Sequence, residues 1–204
     1  MPIARFVCPP CGDVEVPLSH FRETACGEAI HPDYAGAVLW SERTHYRHGK
    51  RAIGVTDLIG CPRKAAIRHD EDYAVNPLEL NAPLGGTAWH AMMEHGTDNP
   101  TACEVSLSGS IDGIEVVGQA DRLRGDLIED WKDTNDFDAK RRKEEGAKPD
   151  HVAQVSLYAE LAEQTKGLAA RPSRGIIWYR YKVKPGLVPC KTDIWPLEKV
   201  LAYK

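Results

Sequence analysis

Gly118-Gln119-Ala120-Asp121-Arg122-Leu123-Arg124-Gly125-Asp126-Leu127-Ile128-Glu129-Asp130-Trp131-Lys132 is the stretch on which the reading of this chain turns. It divides into two extended runs around a turn at Gly125-Asp126, which predicts a hairpin holding Asp121 on one strand beside Asp130 on the other. Side chains alternate along a strand, so Asp130 and Lys132 share a face while Trp131 points away. Two carboxylates and an ammonium then converge on one spot. Hard carboxylate oxygens suit Mg²⁺ or Mn²⁺, and a lysine beside such an ion can orient a water or stabilise developing charge. The same residues would also suit an edge hairpin with solvated charges. Asp-x-Lys is common, so the rest of the chain has to decide.

Downstream, Asp133 to Pro149 is polar and aperiodic and reads as a loop. His151 to Thr165 reads as a helix capped by Asp150, burying Val152, Val155, Leu157, Leu161 and Ala162. Gln154 and Tyr158 are four apart and face the same way. Ile176 to Tyr181 is a further strand. The tail, with Pro185, Pro189 and Pro196, reads as irregular before a last turn at Leu197 to Tyr203. Upstream, Ala102 to Val117 is strand territory with a turn at Asp112-Gly113. Leu84 to Gly96 reads as a helix carrying His90 and His95. Val55 to Arg68 reads as a helix started by Thr56 and broken near Cys61-Pro62. Arg63, Lys64 and Arg68 fall near one helical side, able to contact phosphates or simply to be solvated.

The first fifty residues have a different character. Cys8-Pro-Pro-Cys11-Gly12 has C-x₂-C spacing followed by a glycine that permits a tight turn, and Cys26-Gly27 follows. Cys8, Cys11, Cys26 and His31 make a candidate tetrahedral zinc site, with His20 as the rival fourth ligand. The segment has few large apolar residues, so metal ligation would explain how it folds. The expected division is therefore a zinc-binding segment and linker over 1–50 and a main domain over 51–204.

Composition bounds the function classes. Of 204 residues, 42% are hydrophobic and 27% charged, which suits a folded core rather than disorder. No apolar run approaches a membrane span and no signal-peptide pattern opens the chain, so a cytoplasmic protein without a membrane partner is expected. The net charge of -4 gives no global basic field. A nucleic-acid partner would need local patches, and His45 to Arg51 and Lys140 to Lys143 are the candidates. Six cysteines in a cytosolic chain point to metal or chance rather than disulfides.

The order helix, three strands, helix, strand resembles the core of the PD-(D/E)xK nucleases, an α/β fold with a central mixed sheet flanked by helices. Several short motifs place the resemblance in its RecB-like branch, which includes the CRISPR-associated adaptation nucleases and many phage exonucleases. Val55 to Lys64 looks like that branch's leading helix with its Cys-Pro pair. Gly86-Thr87-Ala88-Trp89-His90 resembles Gly-x-x-x-His, whose histidine is a metal ligand. Glu104 sits where the family often has an acidic residue. Gly118 to Asp121 resembles Gly-x-x-Asp, Asp130-Trp131-Lys132 resembles (D/E)-x-K, and Gln154 to Tyr158 resembles Gln-x-x-x-Tyr. The resemblance covers roughly Val55 to Tyr181. It implies a DNA-hydrolysing enzyme, an exonuclease by analogy, with one or two Mg²⁺ or Mn²⁺ ions on Asp121, Asp130, His90 and the main-chain carbonyl of Trp131. Glu104 would be an accessory acid and Lys132 would position the attacking water. Gln154 and Tyr158 would hold substrate or orient Lys132, and Arg63, Lys64 and Arg68 would contact the nucleic acid. Iron–sulfur members place three cysteines near the C-terminus. Here Cys61 matches their first cysteine but only Cys190 lies near the end, which argues against such a cluster and leaves Cys61 as a buried thiol. The rival reading is a non-catalytic nucleic-acid-binding or protein-interaction module on the same fold.

Overall fold

The computed structural model describes residues 5–30, 52–70, 74–97, 99, 102–165, 171–183 and 186–203. In chain order the elements are β1 (Arg5–Cys8), β2 (Val14–Val16), α1 (His20–Glu23), α2 (Cys26–Ala29), β3 (Ile53–Gly54), α3 (Val55–Ile59), α4 (Pro62–Asp70), β4 (Ala74–Val75) and α5 (Asn81–His95). There follow β5 (Cys103–Ile111), β6 (Ile114–Arg124), β7 (Leu127–Thr134), α6 (Asp136–Glu145), α7 (Pro149–Gln164), β8 (Arg174–Tyr181), β9 (Leu187–Asp193) and α8 (Leu197–Ala202). The chain divides into two units, residues 1–49 with 62–88 and residues 50–61 with 89–204. No helix among the described residues is long and apolar enough to cross a membrane.

In the first unit β1 pairs antiparallel with β2 and parallel with β4. These are very short strands over a small core of Phe6, Cys8, Val16, Phe21 and Ile30. Phe6 and Phe21 meet edge to face, with ring centroids 5.8 Å apart.

The second unit is α/β, with a mixed central sheet flanked by helices. Its sheet order is β3-β6-β7-β8-β9, with β5 also paired to β6. Asp112 and Gly113 both have positive φ (51° and 79°), as a two-residue hairpin turn requires, and they join β5 to β6 in a long antiparallel ladder. The edge of β6 opposite β5 is shared. β3 pairs with Val116 and Val117, and β7 pairs only at Arg122 to Arg124. The stretch from Gly118 to Asp121 lies between these two pairings, where the sheet splays. From there β7 runs parallel to β8 over its whole length, and β8 antiparallel to β9.

α7 buries Val152, Val155, Leu157 and Leu161 in the main core with Ile128 of β7 and Ile177 of β8. Each such side chain contributes roughly 1.5–3 kcal/mol by leaving water. Gly118 permits a close approach: a Cβ there would lie 2.7 Å from Tyr158 Cε1 and 3.0 Å from Val55 Cγ2.

Four expectations about elements are corrected. The polar run after Asp133 is not a loop. Asn135 accepts the Asp138 N–H at 2.7 Å and starts α6, with acidic residues in its first turn and Arg142 and Lys143 in its last. α7 begins with Lys148 as N-cap and Pro149 in its first turn, so Asp150 lies inside it. Gly54, not Thr56, caps α3. The tail forms β9, an edge strand on which Pro189 is tolerated because an edge leaves one row of N–H groups unpaired. Cys61 is exposed rather than buried.

Candidate functional site

The splay beside Gly118 is where the second unit gathers its charged side chains. One residue beyond the last β6–β7 pair, the Asp121 carboxylate accepts the Trp131 N–H at 2.5 Å, taking the place of a backbone partner. His90, near the end of α5, places Nε2 2.8 Å from the Trp131 carbonyl. Its Nδ1 lies 3.5 Å from Glu104 Oε1 and 3.5 Å from Asp121 Oδ1. His90, Glu104 and Asp121 can each offer a ligand atom within 4.8 Å of the others, so they form a cluster able to hold a metal ion. Glu104 has φ of 49°, a left-handed backbone that a glutamate in a strand adopts only under local strain. Beyond the His90 ring at 3.5 Å, its buried Oε1 has no hydrogen-bond partner among the described residues.

Asp130 is fully buried and turns to Lys132, whose Nζ lies 2.8 Å from each carboxylate oxygen. This matches the expectation that the two share a face. Among the described residues, Glu104, expected as an accessory acid, is the carboxylate that groups with His90 and Asp121. The Trp131 carbonyl is likewise engaged by the His90 ring.

Crowding of these groups sets their protonation. Burial, with the Asp130 charge second, pushes Asp121 up to about 7. Burial works against a charged His90, but Glu104, Asp121 and the Trp131 carbonyl outweigh it and raise the ring to about 9. Burial would also lower Lys132, and the charges of Asp130 and Asp121 raise it instead. A site that holds its carboxylates this close without a cation between them favours proton uptake, and a divalent ion would replace those protons.

Gln154 donates to the Tyr158 hydroxyl at 2.9 Å. Tyr158 is buried against Gly118, and burial together with the Asp130 and Asp121 charges holds its phenol protonated. Its hydroxyl is committed to Gln154, so Tyr158 supports the strand carrying Asp121. Of the expected nucleic-acid contacts, Arg63 and Lys64 are exposed on α4 in the first unit, and the Arg68 side chain lies outside the described part. The basic run on α6 is partly consumed. Arg142 is buried against Asp138 and Glu145, and Arg141 pairs with Glu145, while Lys140 and Lys143 stay exposed. The run from His45 to Arg51 lies outside the described residues.

A second cluster lies in the first unit. Cys8, Cys11, His20 and Cys26 offer ligand atoms all within 4.8 Å of one another, a Cys₃His set that could bind a metal ion such as zinc. Cys11 Sγ is 3.4 Å from His20 Nε2 and 3.4 Å from Cys26 Sγ. The turn between Cys8 and Cys11 closes as expected, with Gly12 at φ 77° and its N–H donating to the Pro9 carbonyl. Gly27, by contrast, sits within α2. Three thiols this close cannot all ionise without a cation: hydrogen bonding to Cys26 pushes Cys11 up to about 12, while Thr24, then Cys11, lowers Cys26 to about 7. Among the described residues His20, the expected rival fourth ligand, stands beside the three cysteines, and His31, the first choice, lies outside the described residues.

No family model matches the chain, and no curated protein matches it. Among solved structures, the chain is similar to the crystal structure of SSO0001, an archaeal protein, with a TM-score of 0.57 at 18% identity over 82% of this chain and 81% of that one. At that identity the likeness is one of fold.

Proposed function

We propose that the protein is a metal-dependent nuclease of the RecB-like PD-(D/E)xK type, hydrolysing phosphodiester bonds in DNA, with exonuclease action by resemblance. The observation that carries the proposal is the convergence of His90, Glu104 and Asp121 beside the Asp130–Lys132 pair, where two strands splay. The donor set fits Mg²⁺ or Mn²⁺: carboxylate oxygens, one of them buried without a hydrogen bond, and one imidazole. Such an ion, when bound, lowers the pKa of a water and neutralises charge on a scissile phosphate. The remaining roles belong to the chain's own groups. With Nε2–H given to the Trp131 carbonyl, His90 directs Nδ1 at the carboxylates, so that carbonyl orients the ring instead of ligating. Asp130 fixes Lys132, whose ammonium orients the attacking water and faces the developing charge. Gln154 and Tyr158 hold β6 in place from beneath Gly118. Within this reading the Cys/His cluster holds zinc and takes no part in cleavage.

The test is cleavage of end-labelled single- and double-stranded oligonucleotides with Mg²⁺, Mn²⁺ or Ca²⁺. Wild type should cut with Mg²⁺ or Mn²⁺ but not with Ca²⁺. Lys132→Ala and Glu104→Gln should each lose about 100-fold or more in rate, the scale of removing one transition-state contact. His90→Ala should weaken Mn²⁺ binding in calorimetry. Folded wild type that binds Mn²⁺ but cuts no nucleic acid would return the protein to the rival class of non-catalytic binding modules.

A further inference from the structure

The first unit orders residues 5–30 with little apolar material: Phe6, Cys8, Val16, Phe21 and Ile30 form its small core. Its strands are four, three and two residues long, and its first two helices have four residues each. Pieces of this size below about 40 residues usually need a disulfide, a metal or a partner. All six cysteines are free thiols. The four donors come from four separate pieces of the chain: Cys8 ends β1, Cys11 closes the 3₁₀ turn, His20 opens α1 and Cys26 opens α2. A single ion there would tie β1, the 3₁₀ turn, α1 and α2 together, with β2 held by its pairing to β1.

We propose that one zinc ion, held by Cys8, Cys11, His20 and Cys26, closes this site and is what folds residues 5–30. The geometry suits zinc. A tetrahedral centre with Zn–S bonds of about 2.3 Å puts its sulfurs about 3.8 Å apart; here Cys11 and Cys26 sulfurs are 3.4 Å apart and all four donors lie within 4.8 Å of one another. Thiolate and imidazole donors select zinc over the oxygen-seeking ions suited to the second unit. Four protein ligands leave no open position, so the ion is structural. Cys8 is fully buried beside Phe6 and Phe21, which places the ion at the edge of the small core and makes it an extension of that core. This goes beyond the nuclease reading and is read out by metal content, so either can fail without the other.

The experiment is elemental analysis of the full chain purified without added metal, with limited proteolysis alongside. Wild type should carry about one zinc per chain, the stoichiometry of a single closed site. Cys8→Ser with Cys11→Ser should lose the zinc and open residues 5–30 to proteolysis, while the main core stays resistant. Because that variant could fail for reasons of folding alone, His20→Cys provides the complementary arm. It completes a Cys₄ set and should keep both the zinc and the resistance, whereas His20→Ala should lose them and His31→Ala should not. Wild type that is zinc-free and still protease-resistant over residues 5–30 would overturn the proposal. So would iron in place of zinc, or zinc that survives His20→Ala but not His31→Ala.

Discussion

Asp121 does two jobs with one carboxylate. One oxygen accepts the buried Trp131 N–H, and the other faces His90. Substituting it therefore does more than remove a charge. Asp121→Ala should cost about 1–3 kcal/mol of stability, because it orphans a buried donor. Asp121→Asn keeps an acceptor for that N–H and removes a charge that burial disfavours, so it should unfold close to wild type. Urea denaturation of the two variants without divalent ions separates these outcomes, and equal losses in both would show that the Trp131 bond is not what Asp121 contributes. The pairing of Asp121 with the strand bearing Asp130 and Lys132 was legible in the sequence, because the Gly125-Asp126 turn dictates the register. Glu104 was expected only as an accessory acid, and its place beside His90 and Asp121 was not legible. Its direction follows from a left-handed backbone at one residue, and nothing in the surrounding alternation signals it.

At the scale of elements, α6 is the clearest departure. Its residues carry no apolar stripe, so hydrophobic periodicity cannot find it. The signals that do exist are local: Asn135 as cap, Asp136 and Asp138 in the first turn, and Gly146 with φ 81° after the end. A helix this polar depends on its ends. Asn135→Ala should destabilise the protein by about 1 kcal/mol, the usual cost of losing such a cap, seen as a lower urea midpoint with an unchanged slope. A change under a few tenths of that would mean the bonds from the Lys182 and Val183 N–H groups to Asp136 already hold this end of the helix. β9 was missed for a related reason. Its prolines mark it as irregular, but the strand lies on an edge, where a missing N–H costs little.

For the molecule as a whole, acid stability has an identifiable contributor in His151. Lys148 N–H donates to the Tyr179 hydroxyl at 3.0 Å, and that hydroxyl lies 2.8 Å from His151 Nδ1, where a neutral ring can accept its proton. Burial, then the Lys132 charge, lowers the ring from 6.5 to about 4. The unfolded chain thus takes up a proton near pH 6.5 that the folded chain resists until about pH 4. The contribution is intact above that window and is lost as pH falls through it. Wild type should lose stability relative to His151→Gln between those two pH values, and parallel curves would show the ring is not the cause. Sequence alone determined the elements whose signals are local: the hairpin turns, the amphipathic α7, the Cys-x₂-Cys knuckle and the facing of Asp130 with Lys132. Only the tertiary structure decided which distant groups meet. Among the described residues, Glu104 joins His90 and Asp121, and His20 joins the three cysteines. Residues 62–88 group with the N-terminal segment instead of the main domain. Periodicity and turn chemistry act over a few residues. Convergence of side chains from separate elements depends on splay, backbone strain and packing, which no short stretch of sequence encodes.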